Sequence, residues 1–235
     1  MRATPKSHFH NPVDALLGSA SEVRVLRILA RHGGTLSASH LVNQTRLTRS
    51  NVHKALQSLT AGRVVEALGT GRSVLYQIAP QHPLVPALTA IFEAEAGRVN
   101  RVFEAIHRAA DGHAPFVLGA WLYGSVARGE DTIKSDLDVA IVVDEEPADR
   151  ITKAIREDLE PMETDEGVTV SVLGLSPSEF LRLPSINLQF WTSLREDAVS
   201  LLGRSPDSLV TYLKIDANKT SVGSAETTRS GPISG

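Results

Sequence analysis

The 235-residue sequence predicts an α/β (α+β) protein of two domains, one helical and closed by a hairpin, the other small and centred on a mixed sheet. Three observations carry that expectation. Between residues 19 and 80, three short helical segments give way to two β-rich segments around a glycine-rich tip. Between residues 113 and 215, apolar strands alternate with amphipathic helices. Charge divides along the same line. Ser21 to Pro80 holds eight Lys/Arg against two acids, Glu22 and Glu66, whereas Asp111 to Leu175 holds five against fifteen. Two domains with different partners follow from that split.

Composition narrows the classes. With no cysteine, disulfides and thiolate metal sites are excluded. No run of about 18 apolar residues is present, so no membrane span is expected. Met1 to Pro12 is polar, without an apolar leader core, which fits a cytoplasmic protein. Hydrophobic residues make up 42%, enough for packed cores.

Taken in order, residues 1–18 read as a flexible arm. Ser19 to Arg31 is a helix with Ser21 as cap, Val23, Leu26, Ile28 and Leu29 as its apolar stripe, and Gly33-Gly34 as its stop. A second helix is expected from Ser37 to Gln44, and a third from Thr48 or Ser50 to Ala61 with Val52, Leu56 and Leu59 inward. Val64 to Leu68 and Ser73 to Ile78 then form a hairpin around Gly69-Thr70-Gly71-Arg72. A Pro-containing break leads to a long helical pattern, Leu84 to Ala110, read as a linker or dimer helix.

Phe116 to Tyr123 is nearly all apolar, as in a strand buried on both faces. It runs into Gly124-Ser125, a polar Val126-Ala127-Arg128-Gly129-Glu130 segment, and Ser135-Asp136-Leu137-Asp138 opening a second strand. Strand alternation points Asp136 and Asp138 to one face. Two carboxylates held that close repel, and a divalent cation neutralises both. The Gly-Ser turn offers backbone N–H groups at a helix start, a cradle for phosphate oxygens. An amphipathic helix is expected over Asp149 to Glu160, and a strand over Val168 to Leu173. Asp165 and Glu166 are expected in the polar turn before that strand. Ser176-Pro177-Ser178-Glu179 is a capping box. Asn187 to Leu202 reads as one helix, Asp207 to Leu213 as a short one, and residues 216–235 as a disordered tail.

The string Gly124-Ser125, Arg128-Gly129-Glu130 and Ser135-Asp136-x-Asp138 resembles the polymerase beta-like nucleotidyltransferase superfamily, in particular its minimal branch. The resemblance implies a nucleoside triphosphate and Mg²⁺ (or Mn²⁺). Asp136 and Asp138 are then the catalytic, metal-holding pair, and Gly124, Ser125, Arg128 and Ser135 contact the nucleotide. It also implies a third carboxylate on the Val168–Leu173 strand, where this chain has Ser171.

The helix, helix, turn, helix, hairpin order resembles the winged helix-turn-helix of MarR- or ArsR-type regulators. That resemblance implies double-stranded DNA as partner. Arg46, Arg49, Ser50, Asn51, His53 and Lys54 lie at the recognition helix and Arg72 at the wing tip. A homodimer is expected from the same relatives.

The expected division is a 1–18 arm, a 19–80 winged helix-turn-helix, an 81–112 linker helix, a 113–215 nucleotidyltransferase domain and a 216–235 tail. Two functions follow. One is a DNA-binding protein that binds Mg-NTP and transfers a nucleotidyl group to a hydroxyl on a protein or RNA. The alternative is a transcriptional regulator whose second domain is inactive and serves as nucleotide sensor or partner-docking module.

Overall fold

The computed structural model describes residues 7, 9–11, 19–70, 74–144 and 147–226, with side chains through residue 216. The chain divides into two compact units. The first comprises Met1–Val102 and Gly129–Ser135; the second comprises Phe103–Arg128 and Asp136–Gly235.

In the first unit, α1 (Ala20–His32) ends on Gly33 at φ 69°, whose N–H returns to the Leu29 carbonyl. Its N-cap is Ser19, two residues earlier than the expected Ser21, and makes no side-chain cap bond. Next come β1 (Leu36–Ser37), α2 (Ala38–Thr45), α3 (Arg49–Ala61), β2 (Val65–Leu68) and β3 (Leu75–Ile78). Ser37 caps α2 through His40 N–H, and Thr48 caps α3 through Asn51 N–H. Ser37, expected as the first residue of the second helix, and Leu36 before it instead pair with Leu75 and Tyr76, giving a sheet in the order β1-β3-β2. A strand of two residues is too short for a periodic pattern to reveal. Val25, Leu29, Leu41, Val52, Leu56 and Val65 fill the core, joined by Phe92 of α4 (Val85–Asp111).

The unit boundary falls inside α4, between Val102 and Phe103. Early in α4, Glu95 accepts two hydrogen bonds from Arg27 of α1, at 2.6 and 3.0 Å, both residues being buried.

The second unit is built on a four-stranded mixed sheet, β6-β5-β4-β7. The strands are β4 (Val117–Tyr123), β5 (Leu137–Val143), β6 (Val170–Leu175) and β7 (Val199–Gly203). The β5–β6 pair is parallel and the other two pairs are antiparallel. The parallel crossover is α6 (Ala148–Glu166), which packs on β6 and β5. Gly174 permits that approach, since a Cβ there would strike Thr152 of α6. On the opposite face, α7 (Pro177–Ile186), α8 (Leu188–Glu196) and α9 (Pro206–Glu226) cover Trp121, Ala140 and Val142. The edge strand β6 is capped by α6 side chains. Glu163 accepts from Val170 N–H, and Arg156 donates to the Val172 carbonyl.

Four expectations are corrected. The helix α6 runs through Pro161 to Glu166, so Asp165 and Glu166 lie in its last turn rather than in a loop. Residues 197–202 do not continue α8: Asp197 ends it and Val199–Gly203 is the strand β7, paired with β4. The apolar residues Trp191, Leu194, Ala198 and Leu201 keep a helical period across that break, which hid it. The C-terminal helix reaches Glu226, past the point where disorder was expected. Leu209 and Leu213 anchor its start, and an anchored helix propagates cheaply. At the other terminus, Ser7, Phe9 and Asn11 are buried rather than part of a free arm.

Candidate functional site

Between β4 and β5 the chain makes the one-turn helix α5 (Gly124–Arg128). Gly124 sits at φ 75°, and a Cβ there would strike the Asp138 carboxylate. Glycine is therefore required twice, by the backbone and by the neighbour. The first N–H groups of any helix lack intrahelical partners, so Gly124 and Ser125 bring such donors beside Asp138.

Asp138 is the second residue of β5; Asp136 immediately precedes the strand. Asp138 is half-buried and Asp136 is exposed. Burial pushes the Asp138 carboxyl above the ordinary carboxylate range, Asp136 pushes it further, and Arg128 pulls it back. The two carboxylates therefore repel each other, as the sequence implied. Arg128 also lies 3.9 Å from Asp197, just after α8.

The parallel pairing sets Ser171 of β6 directly beside Asp138. Register partners share a face, so Ser171 lies on the same face as Asp138. Among the described residues no group of three or more His, Asp or Glu could hold a metal ion. The pair Asp136/Asp138 remains a fit for one divalent cation: its mutual repulsion is what such an ion relieves.

Sequence reasoning left out Tyr123. It is the register partner of Asp138 across β4–β5, and its ring packs edge-on to Phe190 with centroids 5.0 Å apart. Burial raises its phenol, and Asp138 raises it further. Its place directly before Gly124 was the available clue.

Ser135 belongs to the Gly129–Ser135 stretch of the first unit, where its hydroxyl accepts from Thr132 N–H at 3.0 Å.

In the first unit, Arg49, Ser50, Asn51, His53 and Lys54 are all exposed on the first two turns of α3, while Val52, Ala55 and Leu56 face the core. One helix face is thus polar and open, with two cations and an amide. Arg46 is not on that helix: it caps α2 at φ 53° in the turn before α3, and it too is exposed. Arg72 lies outside the described residues. No described helix is long and apolar enough to cross a membrane.

Comparison with known families divides the chain in the same way. Residues 19–72 match the MarR family, and residues 104–182 match polymerase beta, nucleotidyltransferase. No curated protein matches the chain. Among solved structures, a toxin-antitoxin with AMP-PNP is similar at 13% identity and a TM-score of 0.35, covering 54% of this chain and 94% of that one. A mutant of the toxin-antitoxin MntA-HpeT is similar at 11% identity and a TM-score of 0.35, with the same coverage.

Proposed function

The chain carries a MarR-type winged helix followed by a polymerase beta-type nucleotidyltransferase domain, and we propose that it binds DNA through the first and a metal-bound nucleoside triphosphate through the second. On this reading the second domain transfers a nucleotidyl group to a hydroxyl on a protein or RNA. The observation that carries it is the Gly124 backbone set against the Asp138 carboxylate, with Asp136 raising the charge beside it.

Asp136 and Asp138 hold Mg²⁺ or Mn²⁺, which neutralises triphosphate charge when bound. The N–H groups of Gly124 and Ser125 take phosphate oxygens. Arg128, already within the field of Asp138, offsets charge that builds on the departing pyrophosphate. The acceptor hydroxyl attacks the α-phosphorus, the bond to pyrophosphate breaks and pyrophosphate departs, and the hydroxyl proton passes to solvent water. Ser171 does not accept that proton at neutral pH.

That last point favours a second reading. With serine beside Asp138, the domain senses a nucleotide without turning it over, and the protein acts as a regulator. Incubation with labelled ATP, CTP, GTP or UTP and Mg²⁺ or Mn²⁺ separates the two. Labelled product lost in Asp136→Ala and Asp138→Ala supports transfer. Binding without product supports the sensor, and no binding sinks both.

For DNA, the exposed face of α3 supports major-groove entry. A gel shift on the protein's own upstream DNA should weaken steeply with salt and in Arg49→Ala. Binding insensitive to salt would end that part of the proposal.

A further inference from the structure

The N-terminal residues were expected to form a flexible arm. Where the structure describes them, they are inside the first unit: Ser7 is 1% exposed, Phe9 6% and Asn11 8%. They form a self-bonded turn. The Asn11 backbone N–H and side-chain amide both donate to the Ser7 carbonyl, at 3.0 and 3.1 Å. The His10 N–H donates to the Ser7 hydroxyl at 3.2 Å.

Phe9 is gripped on three sides. Its N–H donates to Asp131 Oδ2 at 2.6 Å. Its carbonyl accepts from Arg98 of α4 at 3.2 Å, and the same guanidinium stands 5.3 Å from the ring centroid. Asp131 is itself only 4% exposed, and its Oδ1 has no hydrogen-bond partner among the described residues. A carboxylate at that depth depends heavily on whatever donors it has, and the Phe9 N–H is one of them.

The bland explanation is a docked terminus, and Asp131's place in the chain argues for more. It sits in Gly129–Ser135, which packs with the first unit, while Arg128 before it and Asp136 after it belong to the second. Those two flanking residues carry the candidate nucleotide site. A seven-residue loop cannot shift freely while both its ends stay fixed.

We infer that the Ser7–Asn11 turn is a strap. Docking of Phe9 on Asp131 holds the Gly129–Ser135 loop, and through its two ends the loop orders Arg128 and Asp136. Release of the strap loosens the loop and weakens the site for its metal-bound nucleotide. Linkage makes the effect reciprocal, so nucleotide binding tightens the strap. The effects on nucleotide binding, in both directions, rest on the nucleotide-binding reading; the strap's hold on the loop does not.

Amide hydrogen exchange on the full chain tests it without ligand first. Two variants cut the strap from opposite sides, Phe9→Ala and Asp131→Ala. In each, the peptides carrying Phe9, the 129–135 loop and the flanking 124–128 and 136–138 segments should exchange at least about tenfold faster, the usual reach of one hydrogen bond to a charged group. The peptide over Val52 to Leu59 should not change, which shows that the variants fold. Then Mg-ATP is added to the natural sequence, and protection of the Phe9 peptide should rise.

The strap is overturned if the Phe9 peptide of the natural sequence exchanges as free chain. It is equally overturned if Phe9→Ala leaves residues 124–138 unchanged. Absence of any Mg-ATP effect, with the ligand-free results as expected, removes the nucleotide reading and leaves the strap standing.

Discussion

Each unit contains a close group of charges, and the two are treated in opposite ways. In the first unit, Arg27 and Glu95 are 3% and 4% exposed and face each other through two hydrogen bonds, with Phe92 stacked 5.4 Å from the guanidinium. Arg31 also reaches the Glu95 carboxylate at 3.5 Å, so opposite charges meet there. In the second unit, Asp136 and Asp138 share a sign, and their repulsion is only partly offset by Arg128. A buried pair in good geometry holds helices in register. An uncompensated pair costs stability and persists where something else is meant to complete it. The contrast separates a structural charge cluster from the pair on which the proposed function rests.

The largest effect expected is on the structural cluster. Glu95→Ala strands the Arg27 guanidinium in the core, and such losses cost about 3–5 kcal/mol. Chemical unfolding should show it. Replacing both partners, as Arg27→Met with Glu95→Leu, should recover most of the loss. If the single variant costs under about 1 kcal/mol, the pair is not the structural cluster claimed here.

Next comes the cradle. Gly124→Ala forces a Cβ onto the Asp138 carboxylate at a positive φ. Strain of this kind costs about 1–3 kcal/mol, and metal–nucleotide binding should be lost outright. A calorimetric titration that finds normal affinity would mean the Gly124 backbone does not face the ligand.

Ser171→Asp is a way to sharpen the contrast. It places a carboxylate beside Asp138 on the neighbouring strand. Added ligand charge should raise divalent-cation affinity roughly tenfold and lower the stability of the metal-free protein. If labelled product also rises, the serine is what limits transfer. Unchanged cation affinity would mean that Ser171 does not face the pair.

Much of this was readable in advance because it is local. The Gly124-Ser125 turn, the strand carrying Asp138 and the capping box at Ser176 are each set by a few adjacent residues. The expectation that Ser171 stands near Asp138 came from the family resemblance, with strand alternation choosing its face; the β5–β6 pairing makes the two register partners. What escaped was non-local. The strand β7 forms because β4 has an open edge, and its apolar residues mimic a helix. Its one clue was Gly203, at φ 73°, where a Cβ would strike the Leu118 backbone of β4. The helix α6 passes Pro161 because the next turn is held by Gly167 as C-cap at φ 59° and by the Glu163 bond to β6. The burial of Phe9 depends on Asp131, 122 positions away, which no local pattern encodes.

The smallest effect is the most direct measure of the uncompensated pair. Asp138 titrates above its ordinary value of 3.8 in the fold, so the folded state binds its proton more tightly than the unfolded state does. The stability this contributes is complete below 3.8 and is lost as pH rises through the raised pKa. In the metal-free protein, thermal stability should therefore decline across that window, and Asp138→Asn should remove the decline and be the more stable protein above it. The shift should be a few degrees at most, since Asp138 is half-buried and solvent screens it. Mg²⁺ reverses the sign: it needs the carboxylate, so the stabilisation it gives should grow as pH rises through the same window and be absent in Asp138→Asn. Melting curves from pH 4 to 8, with and without Mg²⁺, read both trends at once. Parallel profiles for the two proteins would show that Asp138 is as well compensated as Glu95, and the distinction between the two clusters would fall.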